Sequence, residues 1–326
     1  MIIVTGGAGF IGSNLVADLN AMGCSDIVVV DTLGCDSKWR NIAKRRFIDV
    51  IFPDECEKFV NALDRADAVF HMGANSSTTA TDGDEIVRNN FRASTVLWNW
   101  CSKSKTPLFY ASSAATYGDG SSGFDDDESQ TAQDALRPLN LYGWSKVAFD
   151  RWIGQQVARG HAPPRWAGLK FFNVYGPNEY HKGDMQSLVA KNTDLVSREK
   201  TIGLFKSYTP EFKDGEQLRD FIYVKDCCAV MMWLLAASRP NGIFNLGTGK
   251  ARSFHDLVLA IGKALNINPD IAFIEMPESI RPNYQYFTEA KMQKLQTAGF
   301  TSAFHSLEDG IADYVLSYLT KPDKYR

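Results

Sequence analysis

Long apolar runs are scarce in this 326-residue chain, and the longest, Cys227–Ala237, is too short to span a bilayer. No excess of one charge sign is present either. Thirty-five Lys and Arg face 38 Asp and Glu, and a net charge of −3 argues against a general nucleic-acid binder. The six cysteines (Cys24, Cys35, Cys56, Cys101, Cys227, Cys228) form no C-x-x-C pair and no regular framework. That excludes a disulfide scaffold. Cys227 and Cys228 read either as a vicinal redox pair or as adjacent core positions of one helix. The five histidines show neither H-E-x-x-H nor ligand-like spacing, so no metal site is predicted. Internal repeats, heptads and low-complexity tracts are absent. The first residues read as a buried strand with no basic n-region, so no signal peptide is expected, and a soluble, cytoplasmic protein follows. The length suffices for a large core in two lobes.

What is present begins at residue 1, with MIIVTGGAGFIGSN. Ile2, Ile3 and Val4 suit a strand buried on both faces. Gly7, Gly9 and Gly12 give G-x-G-x-x-G, and Gly6 adds an overlapping G-x-x-G-x-x-G. A helix follows at once, with Ile11, Leu15, Val16 and Leu19 on one face and Gly23 as its stop. Such glycines let a pyrophosphate approach the backbone, and the helix start offers it N–H groups and a positive dipole end. No G-K-[ST] follows, which excludes an NTPase phosphate loop. The next strand, Asp26–Asp31, ends in an acid about twenty residues on, where a ribose hydroxyl is gripped. Asp31 therefore favours NAD. Lys38, Arg40, Lys44, Arg45 and Arg46 beyond it favour a 2′-phosphate and NADP, or form a solvated basic loop. Lys38 stands closest to the strand end.

A fourth strand is read at Ala66–Ala74, running into Asn75, Ser76, Ser77, Thr78 and Thr79. These small polar residues suit either ligand contact at a strand's carboxyl end or a capping turn. A helix from about Asp84 to Lys103 carries Asn89 and Asn90, one of which can reach back to a cofactor. A fifth strand, Pro107–Ala115, ends in Ser112 and Ser113, and the acidic run Asp125–Glu128 reads as solvated surface. Tyr142 and Lys146 then open a helix to about Val157 and share one face of it. A phenol titrates near about 10 when unperturbed, and a nearby ammonium lowers it, which predicts Tyr142 as a proton exchanger held by Ser113. Lys146 also reaches the nicotinamide ribose in this reading. Trp166–Gly176 reads as the sixth strand, Arg219–Val224 and Gly242–Gly249 as further strands, and Lys225–Ser238 as a helix. Ser253 caps a helix to about Asn266 with Asp256 in the capping-box position, Ile271–Met276 is a strand, and helices near Glu289–Ala298 and Ser306–Leu319 finish the chain. The expected architecture is α/β, a doubly wound parallel sheet with a smaller, discontinuous α/β lobe. Residues 1–171 with about 218–249 form its dinucleotide domain, about 172–217 with 250–326 its substrate lobe, and the substrate lies between them.

The assembled motifs, TGGAGFIGSN with Ser113, Tyr142, Lys146 and FFNVYGP at Phe171–Pro177, resemble the extended short-chain dehydrogenase/reductases of the nucleotide-sugar epimerase kind. HMGANSSTT, YASSAATYG, LNLYGWSK, FNVYGPNEYHKG, RDFIYV, FNLGTG and YQYFTEA narrow the resemblance to the branch that acts on an ADP-linked heptose in lipopolysaccharide biosynthesis. It implies an isomerase with tightly held NADP, NAD being the other choice. It also implies transient oxidation at C6″ and a second base at Lys182, which spacing alone reads as an exposed loop lysine. By position, Phe10, Ile11, Asp31, Thr32, Lys38, the Gly73–Ser77 turn (Gly73, Ala74, Asn75, Ser76, Ser77), Asn90, Lys146 and Val174 are implied to touch the cofactor along with Gly6, Gly9, Gly12 and Lys182. Asn173, Phe205, Lys206, Ser207, Arg219 and Tyr284 are implied to touch the sugar nucleotide. Arg219 reads as a diphosphate clamp or as the partner of Asp220 in an ion pair. The chain departs from the branch at two substrate-side positions, with Asp184 where a small residue is usual and Lys191 where histidine is. It lacks a lysine near Pro53, and Tyr208–Leu218 is longer than usual. The resemblance also implies a ring-like homo-oligomer of about five subunits. Two other functions are weighed against this one: an epimerase or dehydratase of another nucleotide sugar such as a UDP-hexose, and a non-catalytic dinucleotide-binding sensor or scaffold.

Overall fold

The computed structural model describes residues 1–236, 240–278, 280–281 and 284–326. The opening apolar run forms β1 (Ile2–Thr5), buried along its length, and one glycine turn leads into α1 (Phe10–Ala21). Gly23, at φ 85°, ends α1 in a Schellman turn: its N–H donates to the Asn20 carbonyl and that of Cys24 to Leu19. β2 (Ile27–Val30), β3 (Asp49–Ile51), α2 (Cys56–Asn61) and β4 (Ala68–His71) follow. The helix expected at about Asp84–Lys103 forms as α3 (Gly83–Ile86), a wide π-turn at Val87–Arg92, and α4 (Ala93–Ser104). β5 (Leu108–Ser113), α5 (Gln130–Ala135) and α6 (Leu141–Ala158) come next.

The single strand expected over Trp166–Gly176 divides into β6 (Trp166–Phe171) and β7 (Asn173–Tyr175). The rest of the chain supplies α7 (Leu188–Ser197), β8 (Ile202–Phe205), β9 (Leu218–Tyr223), α8 (Val224–Leu235), β10 (Gly242–Leu246) and β11 (Ala251–Ser253). It ends with α9 (Phe254–Leu265), β12 (Ile271–Ile274), α10 (Gln293–Thr297) and α11 (Leu307–Tyr314). The capping box at Ser253 and Asp256 starts α9 as expected. The last residues expected of the Lys225–Ser238 helix lie outside the described ones.

Seven parallel strands in the order β10-β6-β5-β4-β1-β2-β3 make the main sheet. The chain moves outward from β1 to β3 and then returns to β4. The strand order thus reverses between β1 and β4, which is where a doubly wound sheet opens a ligand crevice. Alternation along β1 divides the core. Val4 joins Leu15, Leu19 and Met231 on one face, and Ile3 joins Trp98 and Phe149 on the other. Cys227 and Cys228 are buried in the first of these faces, and burial pushes both thiols up, as fits core positions and not a redox pair. β7 leaves the main sheet to pair with β9, which also pairs with β11, and β12 pairs with β8. Tyr175, Tyr223, Leu257 and Ile311 pack beneath this second layer. Among the described residues no helix is long and apolar enough to cross a membrane.

Candidate active site

The carboxyl ends of β1, β4 and β5 open into one cleft of about 790 Å³. Gly6, Gly9 and Gly12 line it, whereas Gly7 packs on Val4 and Val29. The overlapping G-x-x-G-x-x-G is therefore the spacing that faces the cleft. A Cβ on Gly12 would stand 2.1 Å from the Gly6 carbonyl oxygen, and one on Gly6, at φ 65°, 2.7 Å from the Gly73 nitrogen. Gly9 caps α1 without a side chain, so the first N–H groups of a twelve-residue helix meet no capping oxygen. Phe10 and Ile11 from that turn also line the cleft. A cradle without Cβ atoms at a helix N-terminus fits the pyrophosphate of a dinucleotide.

Asp31, at the end of β2, is buried and fully engaged. Its Oδ2 accepts the Ala8 N–H at 2.9 Å, and its Oδ1 accepts the Thr32 N–H and the Lys38 ammonium, each at 2.7 Å. The acid that points to NAD and the base that points to NADP thus grip each other on one rim. Thr32 joins that rim through its backbone, outside the cleft lining. His181 lines the cleft nearby, with Asn41 at 3.1 Å from its Nδ1. Burial, helped by the Lys38 and Lys182 cations, lowers it to about 4.

Gly73, Ala74 and Ser76 line the cleft, and Asn75, Ser77 and Asn90 hold that turn from behind. Asn90 faces inward from the π-turn while Asn89 is exposed. Its Oδ1 accepts the Asn75 N–H at 2.8 Å, and its Nδ2 donates to the Asn75 carbonyl at 2.9 Å and to Ser145 Oγ at 3.0 Å. The Ser77 N–H donates to Asn75 Oδ1. On the far side Thr5 Oγ1 accepts the Gly73 N–H and lies 2.6 Å from His71 Nδ1, and His71 Nε2 lies 2.8 Å from Ser94 Oγ. Ser94 donates onward to the Asn90 carbonyl. These partners assign the ring proton to Nε2. Burial, with Lys146 adding to it, lowers His71 to about 3 and keeps it neutral.

Ser113 ends β5, and α6 starts where Asn140 Oδ1 accepts the Gly143 N–H at 2.8 Å. Tyr142 and Lys146 both line the cleft, with the Lys146 ammonium 5.8 Å from the Tyr142 ring centroid and Ser113 hydrogen-bonded to the phenol. The expected lowering of the phenol by Lys146 does not occur. Burial raises Tyr142, against the Ser113 hydrogen bond and with Asp150 adding to the rise. Lys146 is the group that falls, to about 8, because burial disfavours its ammonium. Lys182 also turns into the cleft, 5.4 Å over the Phe10 ring, in place of the exposed position that spacing suggests. Burial lowers it and Glu179 opposes the fall. The loop bearing Lys182 is pinned by the buried Glu179 carboxylate, which accepts the Gly176 N–H and the Ser187 N–H and hydroxyl.

Asn173, Val174, Arg219 and Tyr284 complete the wall. Arg219 is buried between the Tyr284 and Phe254 rings, 5.3 and 5.6 Å from their centroids, and donates to the Leu218 and Gln285 carbonyls. The alternative ion pair with Asp220 is not made. Asp220 instead accepts from Thr248, Gly249 and Ala290. The other residues implied to touch the sugar nucleotide lie outside the lining. Lys191 donates to the Asp184 carbonyl, Lys206 pairs with Glu275 at 2.8 Å, Ser207 N–H donates to Asp214, and Phe205 sits edge-on to Tyr284. The cleft also takes in Thr78 and Thr79, which the strand-end reading offered as ligand contacts, and Met72, Met185, Gln285 and Thr288, which no single-residue reading selected.

The sequence pattern described as the NAD dependent epimerase/dehydratase family matches residues 2–247. The ADP-L-glycero-D-manno-heptose-6-epimerase of Fusobacterium nucleatum is 50% identical over the full length of both chains. The Helicobacter pylori enzyme of that name superposes with a TM-score of 0.79 at 26% identity, covering 97% of this chain and 95% of that one. A Thermus thermophilus UDP-glucose 4-epimerase in complex with NAD gives 0.73 at 26% identity, covering 96% and 97%. With a glycine cradle at the β1–β4 reversal, a Ser113–Tyr142–Lys146 group above it, and a family match over three-quarters of its length, the chain belongs to the NAD dependent epimerase/dehydratase family.

Proposed function

We propose that this protein interconverts ADP-D-glycero- and ADP-L-glycero-D-manno-heptose, inverting C6″, in the cytoplasmic supply of lipopolysaccharide heptose. The observation that carries the reading is the presence of two proton-exchanging groups, Tyr142 and Lys182, on different elements of one cleft whose floor suits a dinucleotide. The 50% identity to the Fusobacterium enzyme supports the choice of sugar.

The glycine turn, Phe10, Ile11, the Gly73–Ser76 turn, Val174 and Lys146 would hold the dinucleotide, with Asp31 and Lys38 at its adenosine ribose. Lys38, beside Asp31 and able to exchange that partner for a 2′-phosphate, supports NADP. When bound, the nicotinamide supplies hydride exchange at C6″, so that the alcohol becomes a ketone and returns as the other epimer. Each epimer's alcohol needs its own proton acceptor. Tyr142, with Ser113 on the same oxygen, serves one, and Lys182 serves the other. Burial of Lys182 favours the neutral amine that a base requires. Arg219, among rings and without a carboxylate partner among the described residues, suits the substrate diphosphate. Residues 172–217 and 250–326 form the substrate lobe, which supplies Lys182 and Tyr284 while Arg219 reaches the cleft from the dinucleotide domain, and the chain assembles as a ring-like homo-oligomer, which light scattering after size exclusion tests.

The test is incubation of purified protein with ADP-D-glycero-D-manno-heptose and separation of the epimers, beside extraction of any bound nucleotide. Formation of the L-glycero epimer without net release of reduced nucleotide supports the reading. Bound dinucleotide with turnover only of a UDP-hexose assigns another sugar, and bound dinucleotide with no turnover of any nucleotide sugar, in the wild type as in Tyr142→Phe, returns the sensor alternative.

A further inference from the structure

A fully buried ion pair lies directly behind the Ser113–Tyr142–Lys146 group. Asp150 follows Lys146 by one turn and Tyr142 by two on α6, and Lys170 reaches it from β6 at 3.2 Å, neither side chain having any exposed surface. Asp150 Oδ1 accepts the Tyr110 hydroxyl at 2.9 Å, and its Oδ2 also accepts Ser112 Oγ at 2.7 Å. The Lys170 ammonium donates to Thr116 Oγ1 at 2.8 Å, and that hydroxyl donates to the Ser113 carbonyl at 2.7 Å. The pair thus grips Ser112 and Thr116, on either side of Ser113 along the chain. Apolar residues of similar volume commonly replace such a pair with no loss of stability, so packing alone gives no reason for two charges here. Asp150, one turn from Lys146 in a dry interior, acts on that ammonium, and Lys170 carries the opposite charge directly beside Asp150.

We propose that Asp150 and Lys170 are positioning residues that hold Ser113 at the cleft and, through their opposed charges, set the protonation of Lys146 and Tyr142. The proposal rests on the reading that Tyr142 and Lys146 handle the substrate proton. The Asp150 anion stabilises the Lys146 ammonium and disfavours the Tyr142 phenolate, and it acts in that sense on both groups. Lys170, paired with Asp150, offsets part of that negative charge, so its removal strengthens the pull of Asp150 on Lys146. Other groups face this centre from each neighbouring element. They are the neutral His71 on β4, Tyr110 on β5, Tyr117 after it, Asp126 and Glu128 in the loop before α5, and Lys294 on α10. Of the charged ones, only Asp150 and Lys170 share a hydrogen-bond network with the residues flanking Ser113.

The test follows the Lys146 side chain by NMR of protein labelled at the lysine ε-carbon, with the signal assigned from its loss in Lys146→Met. Asp150→Asn is expected to lower the Lys146 midpoint by about one pH unit or more, and Lys170→Met to raise it by a similar shift. Lys170→Arg, which keeps the charge, leaves it in place. Shifts in the same direction, or none, overturn the proposal. Should Lys170→Met fail to fold, the fall in Asp150→Asn against the constancy of Lys170→Arg decides the matter. The titration needs no substrate. A wild-type protein that fails to convert the heptose while its midpoints move in opposite directions refutes the substrate reading alone, whereas normal conversion with immobile midpoints refutes this proposal alone.

Discussion

Tyr142 and Lys146 sit one helical turn apart, and their burial decides their chemistry more than their proximity does. Tyr142 is raised by burial, which keeps the phenol protonated. Replacing it with Phe removes the proposed proton exchanger and keeps the ring, so kcat is expected to fall by about 10²–10⁴-fold with an unchanged melting temperature. Lys146 falls from 10.5 to about 8, and its effect on stability has a definite sign. Between those values the unfolded chain binds a proton that the folded one does not, so stability rises with pH through the window. Below it the full penalty, roughly 3 kcal/mol, remains. Lys146→Met is therefore expected to make the ligand-free protein more stable at pH 7 and to lose that advantage near pH 10.5, as urea unfolding at the two pH values will read. The glycines, Ser113, Tyr142 and Lys146 were legible in the sequence because spacing alone places them. The sign of the Tyr142 shift was not, since it depends on burial and on Asp150, which no local pattern reports.

At the scale of elements, the π-turn in the helix before β5 widens the backbone at the place where Asn90 must point inward. Asn90 then joins three segments: the Gly73–Ser77 turn through Asn75, α6 through Ser145, and β4 through the Ser94–His71–Thr5 chain. Asn90→Ala removes the partner of the part-buried Asn75 N–H and carbonyl, at a cost of about 1 kcal/mol. It is also expected to weaken dinucleotide binding, with calorimetric titration as the check, because the turn that loses its support lines the cleft. The helix itself was legible from its period, but the π-turn was not, since one extra residue barely disturbs that period. β3 escaped for a related reason: a three-residue edge strand beginning with an exposed Asp has too little apolar length to read. The division of Trp166–Gly176 into β6 and β7 is set by what pairs with Asn173–Tyr175, namely β9 from far along the chain.

At the scale of the whole molecule, the cleft depends on residues from both ends of the sequence. Arg326 pairs with Asp18 on α1 and donates its N–H to Asn178 Oδ1 at 2.9 Å. Asn178, at φ 73°, donates to Ser13 and accepts from Asn41 through its carbonyl. The loop that carries Lys182 is thereby tied to the helix that follows the glycine turn. Arg326→Ala is expected to cost about 1–3 kcal/mol and to speed hydrogen exchange in residues 177–187. The doubly wound order was legible because strand, glycine turn and acid recur at fixed spacings. The link through Arg326 was not, because nothing in its neighbourhood marks it. The inward turn of Lys182 likewise depends on Glu179 and on the close approach of Phe10. In the proposed reaction one cleft inverts C6″ by internal oxidation and return, with Tyr142 and Lys182 handling the proton. Its most direct test uses substrate deuterated at C6″ in ordinary water. Internal return of the hydride predicts the other epimer with its deuterium retained. Loss of deuterium to solvent, or no epimer from protein that holds its dinucleotide, would contradict it.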